Sequence, residues 1–349
     1  MDDSSTFEVR REQHALLVFR NHLAQLQPYF DDPLVTEIMV NRFDDVWIER
    51  GGEVMRIESK LTPLGIRAAV KALASANSKD VQAVLDCRMP GVRVAASLEP
   101  IAIRGAAICI RKHTSSDRSL SDYVTDDSFG IGGWDESARK SPPDEAAIRR
   151  GGEALADFFR WAVQQRFNIV VAGATGSGKT TLLNALLAEI PHGERVLTVE
   201  DTAELRVRTP NHISFEASPD IGVSIRSLVK LSLRFRPDRI VVGEVRGAEA
   251  YDLLDAMNTG HSGGACSFHA NSARMALTRL ESMVRMNPDA ANLPLMSLRQ
   301  LIADTIRYVV FCSRHGSRRG PEQVLEVNGV DRDGSYQTKV IFDARGVYE

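Results

Sequence analysis

The chain has 349 residues, of which 43% are apolar and 26% charged, with a formal net charge of −3. This length favours two domains over one, and the near-neutral charge argues against a surface that attracts nucleic acid everywhere. The four cysteines are isolated in sequence and fit neither a zinc ribbon nor a disulfide framework. No apolar run approaches the roughly 20 residues of a membrane span, and the first residues do not resemble a signal peptide. We therefore expect a cytoplasmic protein whose membrane contact is at most peripheral.

The first third of the chain predicts a small α+β domain over residues 1–113. Apolar periodicity predicts helices over 11–30 and 64–76, and β-branched runs predict strands over 35–40, 45–50, 92–97 and 106–111. Residues 114–152 are rich in serine, aspartate, glycine and proline. Their composition predicts a flexible linker with one short helix.

From residue 153 to 349 the pattern alternates between helix and strand, which predicts a parallel sheet covered by helices. Strands are expected over 167–172, 195–200, 238–243, 265–269 and 307–312. Helices are expected over 153–165, 179–189, 223–235, 247–258, 272–286 and 297–306. Two further strands, 322–328 and 336–342, flank an Asp-Gly hairpin signal at 333–334.

A glycine-rich segment between a predicted buried strand and a predicted helix matches the phosphate-binding pattern G-x-x-x-x-G-K-[ST]. Glycines let the backbone N–H groups converge on one centre, and the helix N-terminus adds positive potential there. Lys179 is expected to reach the β- and γ-phosphates, and the Thr180 hydroxyl to bind Mg²⁺. The residues assigned to the nucleotide are Gly173, Ala174, Thr175, Gly176, Ser177, Gly178, Lys179, Thr180 and Thr181.

Two predicted strands of this domain end in carboxylates, where open α/β sheets bind their ligands. Glu244 follows the run 239–243 and is expected to polarise the attacking water, directly or through the metal. Glu200 ends the run 197–200 and is interpreted as a metal or water ligand, with Glu204 a weaker candidate. A helix cap or an exposed turn remains open for Glu200.

His269 ends a third predicted strand, 265–269. It either contacts the γ-phosphate or has a structural role, and the chemistry of histidine alone does not decide between these two roles. Arginines recur in both predicted domains, and an arginine from another domain or subunit can stabilise phosphoryl transfer. Composition alone does not identify the arginine that has this role.

Taken together, the segments 173–180, 198–201, 243–246 and 259–271 resemble, in order and spacing, the four motifs of the type II/type IV secretion traffic ATPases. Residues 32–41 and 47–50 are most similar to its conjugal-transfer (TrbB) and VirB-type branch. The family implies a RecA-like ATPase domain preceded by a PAS-like domain, nucleotide bound between them, and a hexameric ring. It also implies that Arg93 and Arg111 contact the phosphates and that Arg234 and His269 support catalysis.

The leading hypothesis is an Mg²⁺-dependent ATPase with catalytic Glu244, Lys179, Glu200, His269 and Arg234, and with Thr180, Glu200 and Glu244 at the metal. As a ring it would power type IV secretion, conjugal transfer or pilus assembly at the inner membrane, with proteins of that machinery as partners. A tight-adherence pilus or type II secretion ATPase is the alternative within the family. A nucleic-acid motor or recombinase is a rival, but the low charge and 6% aromatic content predict no stable nucleic-acid binding. The other rival is a scaffold that binds ATP without turnover.

Overall fold

The N-terminal part of the chain is built on a six-stranded antiparallel sheet. The structure, a computed structural model, describes residues 3–76, 83–113, 119–125 and 141–348. Strand order is β3-β2-β1-β6-β5-β4. The strands are β1 (Val35–Arg42), β2 (Asp45–Arg50), β3 (Glu53–Ile57), β4 (Val84–Met89), β5 (Val92–Ser97) and β6 (Ala107–Lys112).

Both faces of this sheet are buried, because alternate side chains of its strands pack in opposite directions. Ile38 and Val40 of β1 pack against α1 (Asp3–His22) and α3 (Pro63–Ala76). Met39, between them, joins the core of the C-terminal part of the chain. The predicted single helix over 11–30 is wrong: α1 ends at His22, a short 3₁₀ turn follows, and α2 (Gln27–Asp31) starts separately with Pro28 in its first turn.

The C-terminal part contains an eight-stranded sheet in the order β14-β13-β12-β7-β11-β10-β8-β9. The six strands from β12 to β9 are parallel, whereas β13 and β14 are antiparallel. The strands are β7 (Ile169–Gly173), β8 (Val196–Glu200), β9 (His212–Glu216), β10 (Arg239–Val242), β11 (Ala265–Phe268), β12 (Tyr308–His315), β13 (Arg318–Val330) and β14 (Tyr336–Asp343). The predicted parallel sheet and the α/β fold are confirmed.

Helices cover the two faces of this sheet. One face packs against α6 (Glu153–Gln164) and α7 (Lys179–Leu187). The other packs against α8 (Ile225–Ser232), α9 (Glu249–Asn258), α10 (Ala273–Val284) and α11 (Leu295–Thr305). None of the described helices has the length and apolarity needed to cross a bilayer.

The predicted linker lies partly outside the described residues, which omit 114–118 and 126–140. Its described parts contain two short helices, α4 (Leu120–Thr125) and α5 (Glu145–Arg149), where one was expected. Ile148 of α5 is buried in the core beside α6, and the Tyr348 hydroxyl donates to the Arg149 carbonyl at 2.9 Å. Residues 145–149 therefore pack with the eight-stranded sheet, while the boundaries at 113 and 153 stay predictions.

The N-terminal sheet and the strand β9 share one hydrophobic core, in which Met39 and Ala102 pack with Phe215. Backbone hydrogen bonds also cross between the two parts, from the Glu216 amide to the Ile101 carbonyl at 2.9 Å. The fully buried Arg195 donates to the Asn41 side chain at 2.7 Å and to the Phe235 carbonyl at 2.8 Å. The two parts of the chain are thus joined by a buried interface that is both apolar and polar.

Candidate nucleotide site

The segment between β7 and α7 forms a phosphate-binding loop whose glycines are required by its geometry. Gly176 and Gly178 have φ values of +71° and +94°, which side-chain-bearing residues rarely adopt. A Cβ atom on Gly173 would lie 2.2 Å from the Cys312 carbonyl oxygen and 2.7 Å from Ser177 Oγ. The loop therefore fits against β12 only with glycine at position 173.

Lys179, the first residue of α7, folds back over the loop. Its ammonium group donates to the carbonyls of Gly173 at 3.1 Å and Ala174 at 3.0 Å. Partial burial lowers the pKa of Lys179, while the nearby charge of Glu244 opposes that shift. An ammonium group has three donors, so this lysine retains capacity to bind a phosphate oxygen.

Glu244 lies at the carboxyl edge of the sheet, two residues after β10. Its carboxylate is 3.0 Å from His269 Nε2 and accepts from Arg246 at 2.6 Å. Arg246 also lies 3.0 Å from Asp201. Partial burial opposes ionisation, but the hydrogen bond from Arg246 and the surrounding positive charges outweigh it and lower the pKa of Glu244. Glu244 is therefore ionised at neutral pH, as a residue that accepts a proton from water must be.

Glu200 ends the neighbouring strand β8, and its side chain is buried. One carboxylate oxygen accepts from the amides of Glu204 at 3.0 Å and Leu205 at 2.9 Å. Burial raises the pKa of Glu200, and these amides oppose the shift. A Cβ atom on Gly243 would come within 2.9 Å of Glu200 Cγ, so the glycine before Glu244 makes room for this carboxylate.

The three arginines implied by the family resemblance contact acids of the N-terminal sheet. Arg93 pairs with Asp86 at 2.8 Å, and Arg234 lies 3.7 Å from the same carboxylate. Arg111 donates to Glu37 at 2.5 Å. Among the described residues, no hydrogen bond or ion pair links these arginines to the phosphate loop, so their role at the phosphates stays a prediction.

A cavity of about 490 Å³ opens beside the loop. Its walls are the loop and first turns of α7 on one side and the start of β13 on the other, and they include Gly176, Gly178, Lys179, Thr180, Thr181, Leu182, Ala185, Arg319, Gly320 and Pro321. Sequence reasoning did not assign Arg246 or Arg319 to the site. Arg246 stands two residues after Glu244, so its position in that motif could have indicated it, whereas no sequence motif contains Arg319.

Within the described residues, no three His, Cys, Asp or Glu side chains are grouped as a metal site. Such a group is not needed for Mg²⁺, which protein sites commonly hold with one or two oxygen ligands together with phosphates and water. The Thr180 hydroxyl and the ionised Glu244 are oxygen donors of the required kind, so the residues present fit Mg²⁺.

A phosphate loop between a buried parallel strand and a helix, with an ionised acid after another strand of the same sheet, defines a P-loop nucleotide-binding protein. Residues 146–332 match the model of the type II/IV secretion system protein family. The chain is 34% identical to the conjugal transfer protein TrbB of Rhizobium radiobacter, with 90% of each chain covered. It is 37% identical to the type IV secretion system protein PtlH of Bordetella pertussis, with 88% of this chain and 93% of PtlH covered.

The solved structure of the VirB11 ATPase from the Brucella suis type IV secretion system, in complex with sulphate, matches with a TM-score of 0.80. The two are 32% identical, and the match covers 90% of this chain and 95% of that one. The chain therefore belongs to the type II/IV secretion system protein family. This confirms the family and the fold class predicted from the four sequence motifs, while the PAS-like character of the N-terminal domain stays a prediction.

Proposed function

We propose that this chain is the ATP-hydrolysing motor of a type IV secretion or conjugal-transfer apparatus. The observation that carries the proposal is the electrostatic grouping of Lys179, Glu244 and His269 at the carboxyl edge of the sheet. The relatives named as secretion and conjugal transfer proteins support the setting.

In this mechanism the loop amides and Lys179 hold the β- and γ-phosphates. Glu244 orients the attacking water and accepts its proton, while Arg246 and His269 fix the carboxylate from two sides. Mg²⁺, held by Thr180 and near Glu244, would neutralise phosphate charge. His269 is also close enough to Glu244 to respond when the γ-phosphate leaves. These site assignments are proposals. The metal role that the sequence suggests for Glu200 stays a prediction, because in this structure its carboxylate accepts hydrogen bonds from the Glu204 and Leu205 amides.

We also propose that the chain assembles as a hexameric ring. The ring would bind proteins of the secretion machinery at the cytoplasmic face of the inner membrane. In such a ring, Arg93, Arg111 and Arg234 could serve a phosphate site that includes residues of a second copy. Their ion pairs with Asp86 and Glu37 would then exchange for contacts with phosphate.

The test is the ATPase rate per chain over a range of protein concentrations, with and without Mg²⁺. A rate that rises steeply with concentration, requires Mg²⁺ and disappears in Lys179→Ala supports a motor completed by assembly. Glu244→Gln should bind ATP normally but lose roughly 10²- to 10⁴-fold in turnover, the usual contribution of general base catalysis. Turnover retained in Glu244→Gln would refute its role, and binding without turnover in the wild type would favour the scaffold.

A further inference from the structure

A groove of about 680 Å³ lies between three segments that are far apart in sequence. Residues 149–152 and Leu155, at the turn from α5 into α6, form one wall, and residues 318–322 at the start of β13 form another. Residues 342–346, at the end of β14, form the third. Because α5 packs directly on β14, the fold of the C-terminal part of the chain holds these walls together.

The lining of this groove carries a net positive charge. Its charged members are five arginines and two carboxylates: Arg149, Arg150, Arg318, Arg319, Arg345, Glu322 and Asp343. Both carboxylates are buried and already have donors. Glu322 pairs with His315 at 3.2 Å and also with Arg345. Asp343 accepts from the Arg345 amide at 2.7 Å. The acids of the groove are therefore engaged mainly by Arg345.

In the described part of the chain, three of these arginines have side chains without a partner. The exposed side chains of Arg150, Arg318 and Arg319 make no hydrogen bond or ion pair there. Arg149, in contrast, pairs with Glu145 at 2.7 Å. The first amides of α6 add positive potential, because the N-cap residue of this helix is a glycine and offers no side chain to cap them. The groove therefore attracts negatively charged groups.

A segment of this chain has the complementary composition. Residues 126–136, which lie outside the described residues, contain four carboxylates, two aromatic rings and no lysine, arginine or histidine. Carboxylates pair with guanidinium groups, and aromatic rings stack on them. Leu155 and Pro321 add apolar surface to the groove. The segment thus matches both the charged and the apolar parts of the lining.

The segment is also within reach of the groove in its own chain. Residue 136 precedes Glu145, the first residue of α5, by nine positions, and nine residues span at most roughly 30 Å. The groove begins at Arg149, the last residue of α5.

We propose that residues 126–136 bind in this groove and that their carboxylates pair with Arg150 and Arg318. Arg319 also lines the cavity at the phosphate loop, so the test leaves it unchanged.

The test measures binding of a fluorescently labelled peptide of residues 126–136 by anisotropy. The protein is the full chain with the four acids of that segment replaced by their amides, so that its own segment does not compete. In Arg150→Ala/Arg318→Ala on this neutralised background, the dissociation constant of the peptide should rise roughly tenfold, or about 1.4 kcal/mol. The control Arg208→Ala/Arg314→Ala removes two exposed arginines outside the groove and should leave the constant unchanged.

The wild-type chain should bind the peptide at least roughly twofold more weakly than the neutralised chain, because a segment that fills half of the grooves competes with it. Equal affinity of these two chains would overturn the proposal, as would equal losses in the two double variants. A tethered segment has an effective concentration of about millimolar, so a peptide that does not bind at that concentration would overturn it as well. Vesicles of phosphatidylglycerol that bind the wild type but not Arg150→Ala/Arg318→Ala would instead assign the groove to a lipid surface.

Discussion

Replacement of Gly243 by alanine tests whether Glu200 is an anchor of the site or a ligand in it. The new methyl group would lie 2.9 Å from Cγ of the buried Glu200, so either the Glu200 side chain or the backbone at residue 243 must shift. Displacement would break the two hydrogen bonds from the Glu204 and Leu205 amides. Glu244, the next residue in the chain, would shift as well.

The cost follows from these contacts. Two hydrogen bonds to a charged acceptor are worth roughly 1.5–3 kcal/mol each, and the loss of glycine freedom in the unfolded chain returns up to about 1 kcal/mol. We expect a net loss of roughly 2–5 kcal/mol of stability, and so a midpoint of thermal unfolding lowered by roughly 4–20 °C for a domain of this size. Turnover should fall together with stability.

Thermal unfolding by circular dichroism and the ATPase rate are the assays, with two companion variants. Gly193→Ala is the control, because a Cβ atom there meets nothing within 4 Å. Glu200→Gln keeps the acceptor oxygen but weakens the two hydrogen bonds by removing the charge. It also removes the cost of burying that charge, which is the cost that raises the pKa of Glu200. Because the two effects oppose each other, the variant should unfold near the wild-type temperature and keep most turnover. If Glu200→Gln were stable but inactive, the carboxylate would be a catalytic or metal ligand and the anchoring argument would be refuted.

Three further predictions address the loop, the interface and the arginines. Gly173→Ala should lose ADP binding in calorimetry, because its methyl group would overlap the Cys312 carbonyl; wild-type affinity would contradict the loop geometry. Arg195→Met should lower the free energy of unfolding in urea by about 2–6 kcal/mol, since two buried oxygen acceptors, on Asn41 and Phe235, lose their donor at about 1–3 kcal/mol each; a loss within about 0.5 kcal/mol, that of an ordinary surface change, would mean that the buried network stabilises little. Arg93→Ala should cut the turnover of assembled protein at least roughly tenfold if it stabilises phosphoryl transfer. The control Arg67→Ala, which breaks a similar ion pair with Glu99, should not.

The central strands could be predicted because their burial on both faces leaves an unbroken apolar run, as at 169–172 and 240–242. The edge strands β3, β4 and β9 were missed for the opposite reason. In β9 buried Ile213 and Phe215 alternate with partly exposed polar residues over only five positions, and β3 contains no fully buried residue. Such short segments become strands through pairing with a neighbour, which local sequence does not encode.

The residues of the site also differ in whether local sequence or distant segments determine their surroundings. Lys179 and Glu244 stand in motifs that are local in sequence, so the order of residues along the chain is enough to place them at the sheet edge. Arg195 and Arg319 acquire their surroundings from segments far away in the chain. An arginine in isolation predicts an exposed side chain, and nothing in the sequence indicates that Arg195 is fully buried between Asn41 and Phe235.

The shared core between the N-terminal sheet and β9 determines how force can pass through the chain. Separation of the two parts would expose Met39, Ala102 and Phe215 to water and leave the Arg195 charge without its partner on Asn41. Both costs oppose motion at this interface. The connection between the N-terminal sheet and β9 is therefore stiff. A displacement produced at the phosphates would move the N-terminal sheet and β9 together as one rigid body. In the proposed ring, relative motion would then be concentrated at the contacts between subunits.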